Sequence, residues 1–183
     1  MSAAIERDAE AQQALLEGDR ETARQAFADA AELYRRSWVQ APPQAYGRLV
    51  GMLKAGILAG DGAAQARYVR EALPDEEAAL RSPTASYARA VAALVEGQDA
   101  QARRFSAGMT GSDAFERTAR AIAALAQGDQ QAYRAALTEI VRDFEQRAAH
   151  LTGVSIADTA LMLERLAAGR GLVSGMESPL LPI

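Results

Sequence analysis

The chain has no cysteine among its 183 residues. Disulfides, thiol nucleophiles and thiolate metal sites are therefore excluded. Histidine is almost as scarce, since His150 stands alone. Aromatic residues amount to 5% and β-branched runs are few, which argues against a sheet. No apolar run approaches the ~20 residues of a membrane span. The opening Met1-Ser2-Ala3-Ala4-Ile5-Glu6-Arg7-Asp8 has neither an apolar core nor a cleavage signature. The expectation is no signal peptide, no membrane partner and a cytoplasmic place. A net charge of −4 gives no expectation of a nucleic-acid-binding surface. Lysine is also rare: Lys54 is the only one among 20 basic residues.

What the chain does have is alanine, the best helix former, and a corner that keeps returning. Leu16-Glu17-Gly18-Asp19, Leu58-Ala59-Gly60-Asp61, Val95-Glu96-Gly97-Gln98-Asp99 and Leu125-Ala126-Gln127-Gly128-Asp129 are versions of it. Gly just past a helix end takes the left-handed conformation, and Asp at the next start caps free N–H groups. The corner thus reads as helix, tight turn, helix.

Apolar periodicity fills in the rest. The spacing predicts an all-α fold of about nine helices in one domain, 1–183, with helical pairs over 3–40, 44–73, 83–108 and 113–152. A short turn around Glu76–Arg81 lies in the loop before Ser82-Pro83. The last pair ends in a stripe of Leu137, Ile140, Val141, Phe144, Ala148 and Leu151, with Gly153 as its cap. Ser155-Ile156-Ala157-Asp158 reads as a capping box opening a final helix over 155–168. The tail, 169–183, reads as irregular. Gly47, Gly51 and Gly56 in one helix point to close helix–helix contact.

Corner glycines at 18, 60, 97 and 128 give a helix-pair period of the kind that builds α-solenoids. In the first pair, Gly18, Ala23, Phe27 and Ala30 sit at the offsets of the turn glycine and packing residues of the tetratricopeptide repeat. The chain resembles tetratricopeptide-like proteins over about 3–152, with degenerate later repeats. The segment from Phe144 to Leu172, with His150-Leu151-Thr152-Gly153 and Gly169-Arg170-Gly171, is distantly similar to uncharacterised bacterial helical proteins and to immunity proteins of toxin systems. No functional residue follows from that likeness.

Catalytic patterns are sparse. His150, Ser155 and Asp158 lie close in sequence, but Ser155 and Asp158 fit capping roles and the nucleophile elbow is incomplete. Position 147, three before His150, is Arg, so the Glu-x-x-His pairing of a helical di-metal site fails. Glu76-Glu77 reads as a solvated pair. Arg103, Arg104, Arg117 and Arg120 form a candidate anion clamp where the third and fourth pairs meet.

Binding residues follow from the pairing instead. If the first helix of each pair lines a concave face, counting back from each corner glycine places Gln12, Lys54, Tyr87 and Thr118 there. Val91, Leu94, Ile122 and Leu125 fall nearby, and the tail 172–183 is expected to fold back over part of that apolar surface. Trp38, with Tyr34 and Tyr46, fits both a core position and an exposed partner anchor. The leading expectation is a non-catalytic module that binds a protein or peptide, a second copy of itself included, without a cofactor. An immunity-type inhibitor of a toxin is the alternative. A small-molecule-binding helical protein or an enzyme comes last.

Overall fold

A computed structural model describes residues 1–182, so Ile183 of the expected tail lies outside the described residues. The chain is 69% helix, in ten helices, with no strand among the described residues. They are α1 (Ser2–Leu16), α2 (Arg20–Val39), α3 (Gly47–Ala59), α4 (Ala63–Ala72), α5 (Glu76–Leu80), α6 (Pro83–Val95), α7 (Asp99–Ser106), α8 (Asp113–Gln127), α9 (Gln130–Glu145) and α10 (Asp158–Ala168).

Local chemistry explains most boundaries. Asp19 and Asp129 cap α2 and α9 by accepting from Thr22 and Ala132 N–H, and Gly18, Gly97 and Gly128 are left-handed. The second corner departs from the pattern: Gly60 is extended, and the left-handed residue is Gly62, at φ +69°. Asp61 still caps, accepting from Ala63 N–H. Asp99 does not, because its carboxylate is held by Arg170 at 2.7 Å. The expected turn at Glu76–Arg81 is the short helix α5. Its acidic pair is not simply solvated, since Glu76 meets Arg89 and both glutamates meet Arg104.

The core is one cluster running through all the helices, built largely of alanine. Consecutive helices pack on each other except α4 and α5, where α4 packs on α6 instead; α3 also packs on α6, and α6 on α8. Close approach explains two of the three glycines in α3. A Cβ on Gly51 would lie 2.8 Å from the Tyr34 ring, and one on Gly56 2.5 Å from Gln65. Gly47 has open space instead. In α1 the buried face carries Ala4, Asp8, Ala11, Gln12 and Ala14, so a carboxylate and an amide sit among its alanines.

Two C-terminal expectations are corrected. Helix α9 ends at Glu145 rather than near 151. There the Arg147 guanidinium folds back onto the Phe144 ring, 3.7 Å from its centre, and onto Asp143. Leu151 is consequently 74% exposed instead of continuing the buried stripe. Gly153, at φ +75°, belongs to a turn in the following loop. The capping box does not form either: α10 begins at Asp158 with no side-chain cap, and Ser155 is exposed. The Ala157 N–H instead donates to the Leu180 carbonyl, which pins the entry to α10 against the tail.

The expected tail cover is also differently built. Helix α10 lies against α3, α8 and α9, and Arg170 beyond its end donates to the Leu94 carbonyl. The tail packs behind it on α9 and α10: Arg134 donates to the Ser174 carbonyl, and Leu181 is buried. Glu164, only 4% exposed, accepts from the Tyr133 hydroxyl at 2.7 Å and the Ser174 N–H at 3.1 Å. Truncation after Gly171 removes one of those partners and the Leu180 carbonyl. A buried group left unsatisfied costs about 1–3 kcal/mol, and lost apolar burial adds to it. The truncated chain is expected to melt at least about 5 °C below the full chain in a calorimetric scan. Equal melting would show that the tail contributes nothing.

Candidate functional site

The residues counted back from the corner glycines converge. Gln12 of α1, Lys54 of α3, Tyr87 of α6 and Thr118 of α8 line one cavity of about 250 Å³. Trp38 lies elsewhere, half-buried and stacked on Tyr46 with ring centres 5.9 Å apart. The far wall comes from α9, the loop after it, and the start of α10, through Asp143, Phe144, His150, Asp158 and Thr159. That wall is apolar at Ile140 and Ile156, and Phe115 of α8 adds a further apolar side.

The floor is an ion pair between distant segments. The Lys54 ammonium donates to Asp158 Oδ2 and to Thr159 Oγ1, both at 2.9 Å. Burial, the largest single influence, lowers the Lys54 pKa, but the Asp158 charge and hydrogen bond, with Tyr87 and Asp8 adding to them, together outweigh it and raise the group above the usual ammonium range, so it stays charged. Asp158 Oδ1 is itself satisfied by the Thr159 N–H at 2.6 Å.

One side is closed by a buried relay. The Tyr34 hydroxyl donates to Asp8 Oδ2 at 3.1 Å, and Gln12 Nε2 donates to Asp8 Oδ1 at 3.0 Å. The Thr152 hydroxyl then donates to Gln12 Oε1 at 2.6 Å, tying α1 to the loop before α10. Asp8 is 8% exposed, and burial, with the Asp158 charge second, pushes its carboxyl up to about 6.

Two polar atoms lining the cavity lack partners. The Tyr87 hydroxyl is buried and no hydrogen bond reaches it. Thr159 is near, but its hydroxyl is engaged with Lys54 and Asp158. His150 Nδ1 is likewise unpartnered, and its ring stacks on Phe144 at 5.9 Å. A buried hydroxyl left unpaired costs about 1–3 kcal/mol. Burial raises the Tyr87 pKa, so the phenol remains a donor.

The tempting triad does not assemble. Asp158 is committed to Lys54, and Ser155 is exposed in the loop. The candidate anion clamp is not formed. Arg104 serves Glu76 and Glu77, Arg120 pairs with Glu139, and Arg103 reaches the Ala126 carbonyl. Only Arg117 lines the cavity, where it shares Asp143 with Arg147. Among the described residues, no three metal-ligating side chains group together. No helix of the described residues is long and apolar enough to cross a membrane.

Sequence reasoning missed Asp8, Asp143, Arg147 and Thr159. The only local signal was Asp8, a carboxylate four residues before Gln12, on the same face of α1. The chain matches no protein-family model, and no curated protein or solved structure is significantly similar to it.

Asp8 yields a signed pH prediction. Its folded pKa, about 6, exceeds its ordinary value of 3.8. Its contribution to stability is therefore full below pH 4 and is lost as pH rises through 6, by up to about 3 kcal/mol. Asp8→Asn keeps an oxygen and gains a donor for the Tyr34 hydroxyl without the charge. In urea titrations, the stability of the parent relative to Asp8→Asn is expected to fall between pH 5 and pH 7.5. A difference that stays constant over that range would show that Asp8 titrates normally.

Proposed function

We propose that the chain is a non-catalytic binding module: a degenerate tetratricopeptide-like solenoid whose cavity receives a segment of a protein or peptide partner. One observation carries this reading. Four polar side chains from four successive hairpins, Gln12, Lys54, Tyr87 and Thr118, meet at a single open cavity. Packing of α3 on α6 and of α6 on α8 agrees with stacked hairpins. Small concave sites with a few convergent polar groups on an apolar wall are the usual form of ligand pockets. The non-catalytic part is supported by the separation of roles at His150, Ser155 and Asp158. The first stacks on an aromatic ring, the second faces solvent, and the third is held in an ion pair.

Leu151, exposed at the cavity rim, offers a direct test. A photo-cross-linking amino acid at 151 is compared with the same probe at Glu71, on the exposed side of α4. Both proteins are irradiated in a lysate of the source cells. The expected result is one dominant adduct at 151, absent at 71, whose cross-linked peptide is found by mass spectrometry. Equal adducts at both positions, or none at 151, would overturn the reading. Should the partner be an enzyme that the chain inhibits one to one, the module is of the immunity type. Should it be a second copy of this chain, the module self-associates.

A further inference from the structure

We infer that the cavity recognises a single carboxylate carried on a compact apolar body. This rests on the reading of the cavity as a binding site and names the ligand chemistry. The argument is a count of donors and acceptors. Each Asp143 oxygen is engaged, one by Arg117 at 2.6 Å and the other by Arg147 at 2.5 Å. Both Asp158 oxygens are engaged as well, by Lys54 and Thr159. Gln12 Oε1 is taken by Thr152, and the Thr118 hydroxyl donates to the Ala114 carbonyl at 2.9 Å.

Donors remain. The Tyr87 hydroxyl, in a residue only 7% exposed, has no acceptor. Lys54 uses two of its three N–H groups, and the Arg117 fork is engaged through one nitrogen. Tyr87, Lys54 and Arg117 therefore call on an occupant for acceptors, while the unpartnered His150 Nδ1 takes either role with its tautomer.

Charge narrows the class. Among the lining side chains, Lys54, Arg117 and Arg147 face two carboxylates, Asp143 and Asp158, leaving one positive charge over while Asp8, whose charge also acts on Lys54 and whose carboxyl is pushed up to about 6, is protonated. A monoanion balances it, whereas a dianion such as a phosphate would meet those same carboxylates with a charge to spare. Phe115, Ile140, Phe144 and Ile156 give the rest of the occupant an apolar wall. A volume of about 250 Å³ admits one or two residues at a peptide C-terminus, or a small organic acid, not a longer strand.

The test uses the full chain and saturation-transfer NMR. One arm contains phenylacetate, 3-phenylpropionate and 4-methylpentanoate, each beside its primary amide and the matching amine. The other contains acetylated tripeptides ending in Phe or Leu, with free or amidated C-termini. Carboxylates in at least one arm are expected to bind five-fold or more tightly than their neutral and cationic partners. Preference for the peptides identifies a chain terminus as the source, and preference for the free acids identifies a small metabolite-like acid.

Two variants check the geometry. Tyr87→Phe is expected to weaken the carboxylate roughly tenfold while melting no lower than the parent, because its hydroxyl has no partner to lose. Arg117→Gln is expected to erase the preference for carboxylate over amide. Amides or amines binding as well as acids would overturn the carboxylate inference and leave the binding-site reading standing. No binding in either arm would overturn both. A Tyr87→Phe protein that melts several degrees lower would also overturn the inference, since the hydroxyl would then be structurally satisfied.

Discussion

The position of α10 depends on the Lys54 ammonium. It reaches from the middle of α3 to Asp158 and Thr159, more than a hundred residues further along the chain, and fixes α10 against the first half of the molecule. A buried ion pair contributes little net stability by its charges alone, because desolvating two ions costs about as much as their attraction returns. What it supplies is register. Asp158 without Lys54 would be a half-buried carboxylate facing Asp8, and Lys54 without Asp158 a buried ammonium. Only one docking of α10 satisfies both. The tail reinforces that docking from the other side, through Ser174 on Glu164 and Leu180 on Ala157.

Much of this was legible in the residues, and the limits have a physical cause. Corner glycines and apolar periods are local signals, so the all-helical fold and most boundaries follow from them, although about nine helices were expected and α5, read as a short turn, makes ten. The same period placed Gln12, Lys54, Tyr87 and Thr118 on one side, because counts of six and of ten back from a corner differ by about one helical turn and so fall on one face. The second corner failed at one residue: two glycines flank Asp61, and periodicity cannot say which takes the positive φ. The end of α9 failed for a different reason. Ala148 and Leu151 continue the apolar stripe, but Arg147 folding onto Phe144 and Asp143 turns the chain away before they can join it. Ser155-Ile156-Ala157-Asp158 satisfies a capping pattern, yet its carboxylate is drawn to Lys54. Long-range pairing of that kind leaves no mark on sequence spacing.

Asp8 and Glu164 make the same point about the interior. Each is a buried carboxylate, and each is tolerated because a tyrosine from a neighbouring helix donates to it: Tyr34 to Asp8 and Tyr133 to Glu164. Gly51 allows the first pairing, since any side chain there would strike the Tyr34 ring. The scarce aromatics are thus used partly as buried donors, and reading them as core residues alone gives only their apolar half.

A wholly apolar interior of the same shape would hold α10 at least as firmly. The polar groups are instead concentrated where α1, α3, α6 and α8 meet the loop before α10, and they leave a cavity with more donors than acceptors. That combination costs stability in the empty protein. It is recovered only by an occupant touching both the hairpins and the α10 wall, so occupancy and the docking of α10 stabilise one another. The last helix then both closes the apolar surface of the hairpins and supplies half of the site. On the proposed reading, ligand binding and the integrity of the fold are one coupled equilibrium.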